Sequence, residues 1–192
     1  TATANNCFDD VDQTTTNGGF SFSITSGNLD MACSSGCADV AVTISFNNFR
    51  ITESGTTAVM HGGITLAKAG STNSFSGTSF YIVESSGAAV RLTNFNISGT
   101  TMGATQSTTV NMTVAGTLID GSITIVTAAG NPLLQTTTEL HPHSGTMVVT
   151  GSAGSTLTIV AVNSLEVELT LDPDGPGGAQ ANATVREFWA NL

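Results

Sequence analysis

Gly19-Phe20-Ser21-Phe22-Ser23-Ile24-Thr25 alternates apolar and hydroxyl side chains without a break. A period of two places Phe20, Phe22 and Ile24 on one face of an extended strand, and Ser21, Ser23 and Thr25 on the other. The same period returns in Asp39-Val40-Ala41-Val42-Thr43-Ile44-Ser45-Phe46, with Val40, Val42, Ile44 and Phe46 inward. No window carries an apolar stripe of period 3.6. Further candidate strands follow at 56–68, 78–84, 88–98, 107–119, 121–127, 145–150, 155–163, 165–171 and 183–190. Turn signals separate them, among them Glu53-Ser54-Gly55, Ala69-Gly70-Ser71, Ser85-Ser86-Gly87, Asp120-Gly121 and Gly151-Ser152-Ala153-Gly154. Short strands at such spacing predict an all-β chain: an antiparallel meander of hairpins forming a sandwich or an extended, curved sheet.

Composition points the same way. The 192 residues include 4 Lys and Arg against 14 Asp and Glu, for a net charge of −10, and 9% of positions are charged, where about a quarter is usual. Four cations cannot coat a phosphate backbone, which excludes nucleic-acid binding. No apolar run approaches the roughly 18 residues of a helical membrane span. The scarcity of Lys, Glu, Arg and Gln argues against a helical bundle. Disorder driven by charge is excluded by a 40% hydrophobic content and a mean hydropathy of +0.19. The expected organisation is a polar N-terminal segment, 1–18, either exchanged between copies or flexible, followed by one β domain, 19–192.

Internal repetition is weak but present. Phe46-Asn47-Asn48-Phe49-Arg50-Ile51-Thr52 resembles Leu92-Thr93-Asn94-Phe95-Asn96-Ile97-Ser98. A second unit, a Gly-led strand, a turn and another strand, runs from Gly77 to Leu92, from Gly121 to Leu134 and from Gly145 to Val160. The units lack the fixed period of a solenoid, and hairpins laid side by side account for them better.

Three cysteines, Cys7, Cys33 and Cys37, cannot all pair within one chain. One disulfide plus one free or intermolecular thiol is the simplest arithmetic. Cys33-Ser34-Ser35-Gly36-Cys37 can close on itself, or Cys7 can pin the N-terminal segment to either partner. The chain opens Thr1-Ala2-Thr3-Ala4-Asn5-Asn6, as a processed secreted protein or a trimmed chain would.

Leu140-His141-Pro142-His143-Ser144-Gly145-Thr146-Met147-Val148-Val149-Thr150-Gly151, then Gly154-Ser155 and Leu171-Asp172-Pro173-Asp174-Gly175, resembles the C-terminal part of Gly/Thr-rich secreted proteins and lipoproteins of Gram-negative bacteria. Asn48-Phe49 followed by Gly62-Gly63-Ile64-Thr65-Leu66 resembles their recurrent strand unit. The likeness covers about half the chain on motifs of low complexity. It implies an extracellular, cell-surface or envelope β protein and transfers no catalytic residue. The chain departs from the pattern at Pro176, where a further acidic residue is expected.

Candidate chemistry is sparse. Asp172 and Asp174 in Asp172-Pro173-Asp174-Gly175 are the nearest approach to a metal loop, and Ca²⁺ is the cation that alternating carboxylates take. Pro176 replaces a third ligand and no later Glu completes the set, so a Pro/Gly turn outweighs the metal reading. Asp9, Asp10 and Asp12 form a second acidic cluster with the same balance. His141 and His143 at i, i+2, and His61 alone, fall short of the four ligands of a structural zinc site. No Gly-x-Ser-x-Gly elbow is present, and no cluster pairs a nucleophile with a base. No catalytic residue and no resident cofactor is expected.

The function read from these features is structural. Exposed sheet edges are normally guarded by Lys, Pro or inward charge, and this chain has one Lys, Lys68, and four Pro. The expectation is a secreted or cell-surface β protein that self-associates as a filament, matrix or adhesin subunit, with copies of itself or another envelope protein as partners. Strand addition through the N-terminal segment would use Phe20, Phe22 and Ile24 as anchors and Cys7 as a tethering thiol. The alternatives are a lipid- or glycan-binding envelope module, with a cavity lined by Phe75, Phe80, Phe95, Val110, Met112 and Val114, and, last, an enzyme of unrecognised type.

Overall fold

The computed structural model describes residues 1–27 and 39–192 as one antiparallel sheet of 13 strands. Cys33 and Cys37 lie outside the described residues. The strands are β1 (Ala2–Asp9), β2 (Thr14–Ser26), β3 (Val40–Glu53), β4 (Thr56–Ala69), β5 (Thr72–Glu84), β6 (Ala89–Met102), β7 (Thr105–Gly116), β8 (Ile119–Thr127), β9 (Leu133–Thr136), β10 (Thr146–Gly151), β11 (Thr156–Ala161), β12 (Glu166–Asp172) and β13 (Ala183–Phe188). A 3-10 turn, Trp189–Asn191, ends the chain. Among the described residues no helix is long and apolar enough to cross a membrane.

The order is a meander, β1 through β8, then β10 through β13, with β9 set off the path against β7. The all-β, antiparallel expectation is met, and the sheet is open. Two strands were not anticipated. β1, Ala-Thr-Ala-Asn-Asn-Cys-Phe-Asp, lacks apolar alternation because it lies at an edge with little to bury. β9 is four residues long and fills a gap: β8 pairs with β7 only from Asn111 onward, and β9 takes Thr105–Thr108. Gly121 to Leu134 is therefore not a hairpin, since β8 pairs β10 and β9 pairs β7. β5 begins at Thr72 rather than 78, and β2 runs unbroken across residues 18 and 19.

Register divides the sheet into two faces. Ile24, Val42, Leu66, Phe75, Ile97 and Val110 stand opposite one another in one row across β2 to β7. The row beside it, Ser23, Thr43, Thr65, Ser76, Asn96 and Asn111, points the other way. Thr hydroxyls pair across strands on that second face, Thr43 with Thr65 at 2.9 Å and Thr170 with Thr184 at 3.0 Å. Such cross-strand pairs are the sheet's unit of stabilisation, each worth roughly 0.2–1 kcal/mol.

Bulges explain the internal repeat. Phe46 faces Gly62 and Phe49 faces Met60, so β3 carries one extra residue there. In β6, Thr93 faces Thr113 and Asn96 faces Asn111, with the same surplus. Asn48 and Asn94, equivalent in the repeat, both take left-handed backbones at φ 52 and 47. Asn tolerates that region better than most side chains. Each bulge brings residues three apart, Phe46 with Phe49 and Leu92 with Phe95, to the apolar face.

Phe95 is the deepest large side chain of this half, 2% exposed. Its ring lies over Gly77, where a Cβ would stand 2.4 Å from Phe95 Cζ and 2.5 Å from the Gly63 carbonyl oxygen. Phe75 packs against it at 5.1 Å. Among the described residues, the other buried ones are Val42, Thr127, Ala161, Val167 and the glycines Gly145 and Gly175. Thr127 Oγ1 accepts the Val110 N–H at 2.7 Å, so its burial leaves no polar atom unpaired there.

Candidate functional site

The open sheet leaves two edges, β1 and β13. At β13 the free side can be read from one bond. Trp189 N–H donates to the Leu165 carbonyl at 2.9 Å. Antiparallel ladders alternate, so Val185 and Glu187 also bond inward, and Thr184, Arg186 and Phe188 turn their N–H and C=O groups outward. At β1 the edge is bent by a bulge at Asn6 (φ 51), whose N–H donates to Asn17 Oδ1 at 2.7 Å. Cys7, next to it, is a free, exposed thiol. Asp9 Oδ1 accepts the Val11 N–H at 2.9 Å and shapes the turn into β2, so this carboxylate organises its own loop.

Phe20, Phe22 and Ile24 lie in β2; Phe20 is paired on both sides, with Ala2 of β1 and Phe46 of β3, whereas Phe22 and Ile24 lie beyond the β1 ladder and pair with β3 alone. Phe20 packs edge-on against Phe49 at 5.6 Å. Phe22 and Ile24 keep 47% and 45% of their surface exposed. The unpaired backbone of the N-terminal region thus belongs to β1 and to residues 21–26 of β2, the stretch that carries Phe22 and Ile24. Phe75, Phe80, Phe95, Val110, Met112 and Val114 do share the apolar face. Around Phe95 that face is filled by the ring seated on Gly77.

Asp174 turns into its own loop. Gln180 N–H donates to Oδ2 at 2.8 Å, and that amide above all holds the carboxyl below its ordinary range. Oδ1 is enclosed without a hydrogen-bond partner. Gly178 lets the loop close over it, since a Cβ there would overlap the carboxylate. Among the described residues no three His, Cys, Asp or Glu side chains are placed to share a metal ion.

The two loop histidines have separate partners. His143 Nδ1 lies 2.7 Å from Glu139 Oε2. The Thr136 N–H, 2.7 Å from the same oxygen, is the main reason the Glu139 carboxyl sits below its usual range, with His143 second. His141 stacks on Trp189 at 5.8 Å, 13° from parallel. Trp189 Nε1 donates to the Asn163 carbonyl at 3.2 Å. His141 and Trp189, together with Leu140, Ser164, Leu165 and Phe188, line a groove of about 450 Å³ at the end of β13.

A second cleft was not legible in the sequence. On the hydroxyl face of β5, β6 and β7, a hollow of about 500 Å³ is lined by Tyr81, Val83, Ala89, Arg91, Ala115 and Thr117. His61 stacks on Tyr81 at 4.7 Å, 16° from parallel. His61 Nδ1 accepts the Asn48 N–H at 3.3 Å, and Asn48 Oδ1 accepts from the Arg50 guanidinium at 3.3 Å. These residues span positions 48–117 and meet only through strand register. Compared with known proteins, the chain matches no family model, no curated protein and no solved structure.

Proposed function

We propose that this chain is a secreted or cell-surface structural subunit that assembles by pairing the free edge of β13 with β1 of another copy. The observation that carries the reading is the pair of unpaired edges on an open sheet. The path from β1 to β13 passes through an even number of antiparallel strands, so its two edges run in opposite directions. A head-to-tail join therefore continues the antiparallel alternation, and repeated joins that do not close give a filament. Main-chain hydrogen bonds from Thr184, Arg186 and Phe188 supply affinity, and flanking side chains supply register. The exposed Phe22 and Ile24 extend the contact on the apolar face.

Arg186→Pro tests this. Proline removes an outward N–H and the exposed Arg186–Glu168 ion pair at 3.3 Å but leaves the backbone bonds to β12 in place, so an edge strand tolerates it. The wild type should sediment as a series of oligomers and form particles in negative stain. The variant should keep its β-sheet circular dichroism and sediment as a monomer. A monomeric wild type at high concentration, or assembly unaffected by Arg186→Pro, overturns the proposal.

A further inference from the structure

We propose that the cleft on β5, β6 and β7 binds a carboxylate-bearing sugar, with Tyr81 as the platform for the ring and Arg91 as the anchor for the carboxylate. The inference is independent of assembly, because the cleft lies within the sheet and away from both edges. Its volume, about 500 Å³, falls in the range of roughly 300–1,000 Å³ typical of small-ligand sites.

The floor is made by small residues. Ala89 faces Val83, and Ala115 faces Arg91. Gly116 brings β6 and β7 together: a Cβ there would stand 2.5 Å from the Ala89 carbonyl oxygen. Thr117 fixes that backbone, its N–H donating to the Ala89 carbonyl at 3.0 Å and its Oγ1 accepting the Ala89 N–H at 3.2 Å.

The wall is fixed from behind. The bulge in β3 presents the Asn48 N–H to His61, whose stacked ring backs Tyr81. Bulges commonly re-aim side chains in this way beside functional sites. Tyr81 in turn faces Arg91 across β5 and β6. Arg91 is exposed, and among the described residues its guanidinium makes no hydrogen bond or ion pair. Arg50 stands on the far side of His61. Two of the chain's four cations thus flank one aromatic pair in a protein of net charge −10.

The chemistry selects the ligand. An aromatic face and an alanine floor accept the C–H face of a pyranose, and a planar guanidinium accepts a carboxylate through two parallel hydrogen bonds. The overall negative charge disfavours long polyanions. A short uronic-acid sugar combines an apolar ring face with a single carboxylate on each ring.

The test is titration of the full chain with digalacturonate, its methyl ester, cellobiose and inorganic phosphate, followed by amide NMR shifts and calorimetry. Digalacturonate should shift the amides of Tyr81, Arg91, Ala115 and Thr117, and the ester and cellobiose should bind at least tenfold more weakly. Arg91→Gln, at an exposed position, should weaken digalacturonate at least tenfold with unchanged circular dichroism. Tyr81→Phe should retain binding and Tyr81→Ala should lose it. Absence of binding at millimolar digalacturonate, equal binding of the ester, full displacement by phosphate alone, or wild-type affinity in Arg91→Gln each overturns the assignment.

Discussion

Asn48 and Gly77 show how much of this sheet depends on single backbone positions. Asn48 holds φ 52, a region that costs most L-residues roughly 1–2 kcal/mol and β-branched residues most severely. Asn48→Gly should therefore be nearly neutral in urea denaturation, and Asn48→Val should destabilise by roughly 1–3 kcal/mol. Equal midpoints for the two variants would refute the bulge as the determinant. Gly77 has an ordinary backbone, so its requirement is one of space. Gly77→Ala pushes a methyl into the Phe95 ring and the Gly63 carbonyl, and overpacking of this kind costs roughly 1–3 kcal/mol. Both positions were half visible in the sequence. The Asn48 and Asn94 repeat stood out as similarity, but its meaning, two equivalent bulges, needed the register. Gly77 read as the start of a strand and turned out to be a seat for an aromatic ring.

At the scale of elements, the strands with clean alternation were the legible ones. β2, β3 and β12 set apolar side chains on one face and hydroxyl or charged ones on the other, so their period of two survives in the residues. β1 and β9 could not be found that way, because one is an edge and the other pairs only with Thr105–Thr108 of β7. The loop after β9 carries its own pH dependence. The Thr136 N–H and His143 lower the Glu139 carboxyl below its ordinary 4.5. A carboxylate depressed on folding stabilises the folded loop above that value, and the contribution is lost as the pH falls through the lower folded value. The Thr136 amide resonance should therefore move with a midpoint below 4.5 in an NMR titration, and Glu139→Gln should abolish the transition. A midpoint at or above 4.5 would show that the Thr136 and His143 bonds do not hold the carboxylate in solution. Neither bond was readable from the His141-Pro142-His143 spacing, which shows two imidazoles side by side and hides that each has a different partner.

The whole molecule poses the largest physical question. Two faces of one sheet cannot both be dry, and among the described residues few apolar side chains are fully buried. Phe22, Ile24, Leu66, Val90, Leu171 and Val185 remain substantially exposed along the apolar face. Such an area of apolar surface is unusual for a protein that stays monomeric. The hydroxyl-rich, charge-poor composition fits the opposite face, where Thr and Ser take the positions that Lys and Glu usually hold. Stability in an open meander also resembles a sum over neighbouring strands more than a single core, as in repeat proteins, so edge strands should open before central ones. If copies join at β13 and β1, association binds the folded state and adds to its stability by mass action. The midpoint of thermal unfolding should then rise with protein concentration over a hundredfold range, and Arg186→Pro should flatten that dependence without lowering the midpoint of the dilute wild type. A midpoint independent of concentration would mean that edge pairing contributes nothing to stability, and that the apolar face is tolerated in water by a monomer.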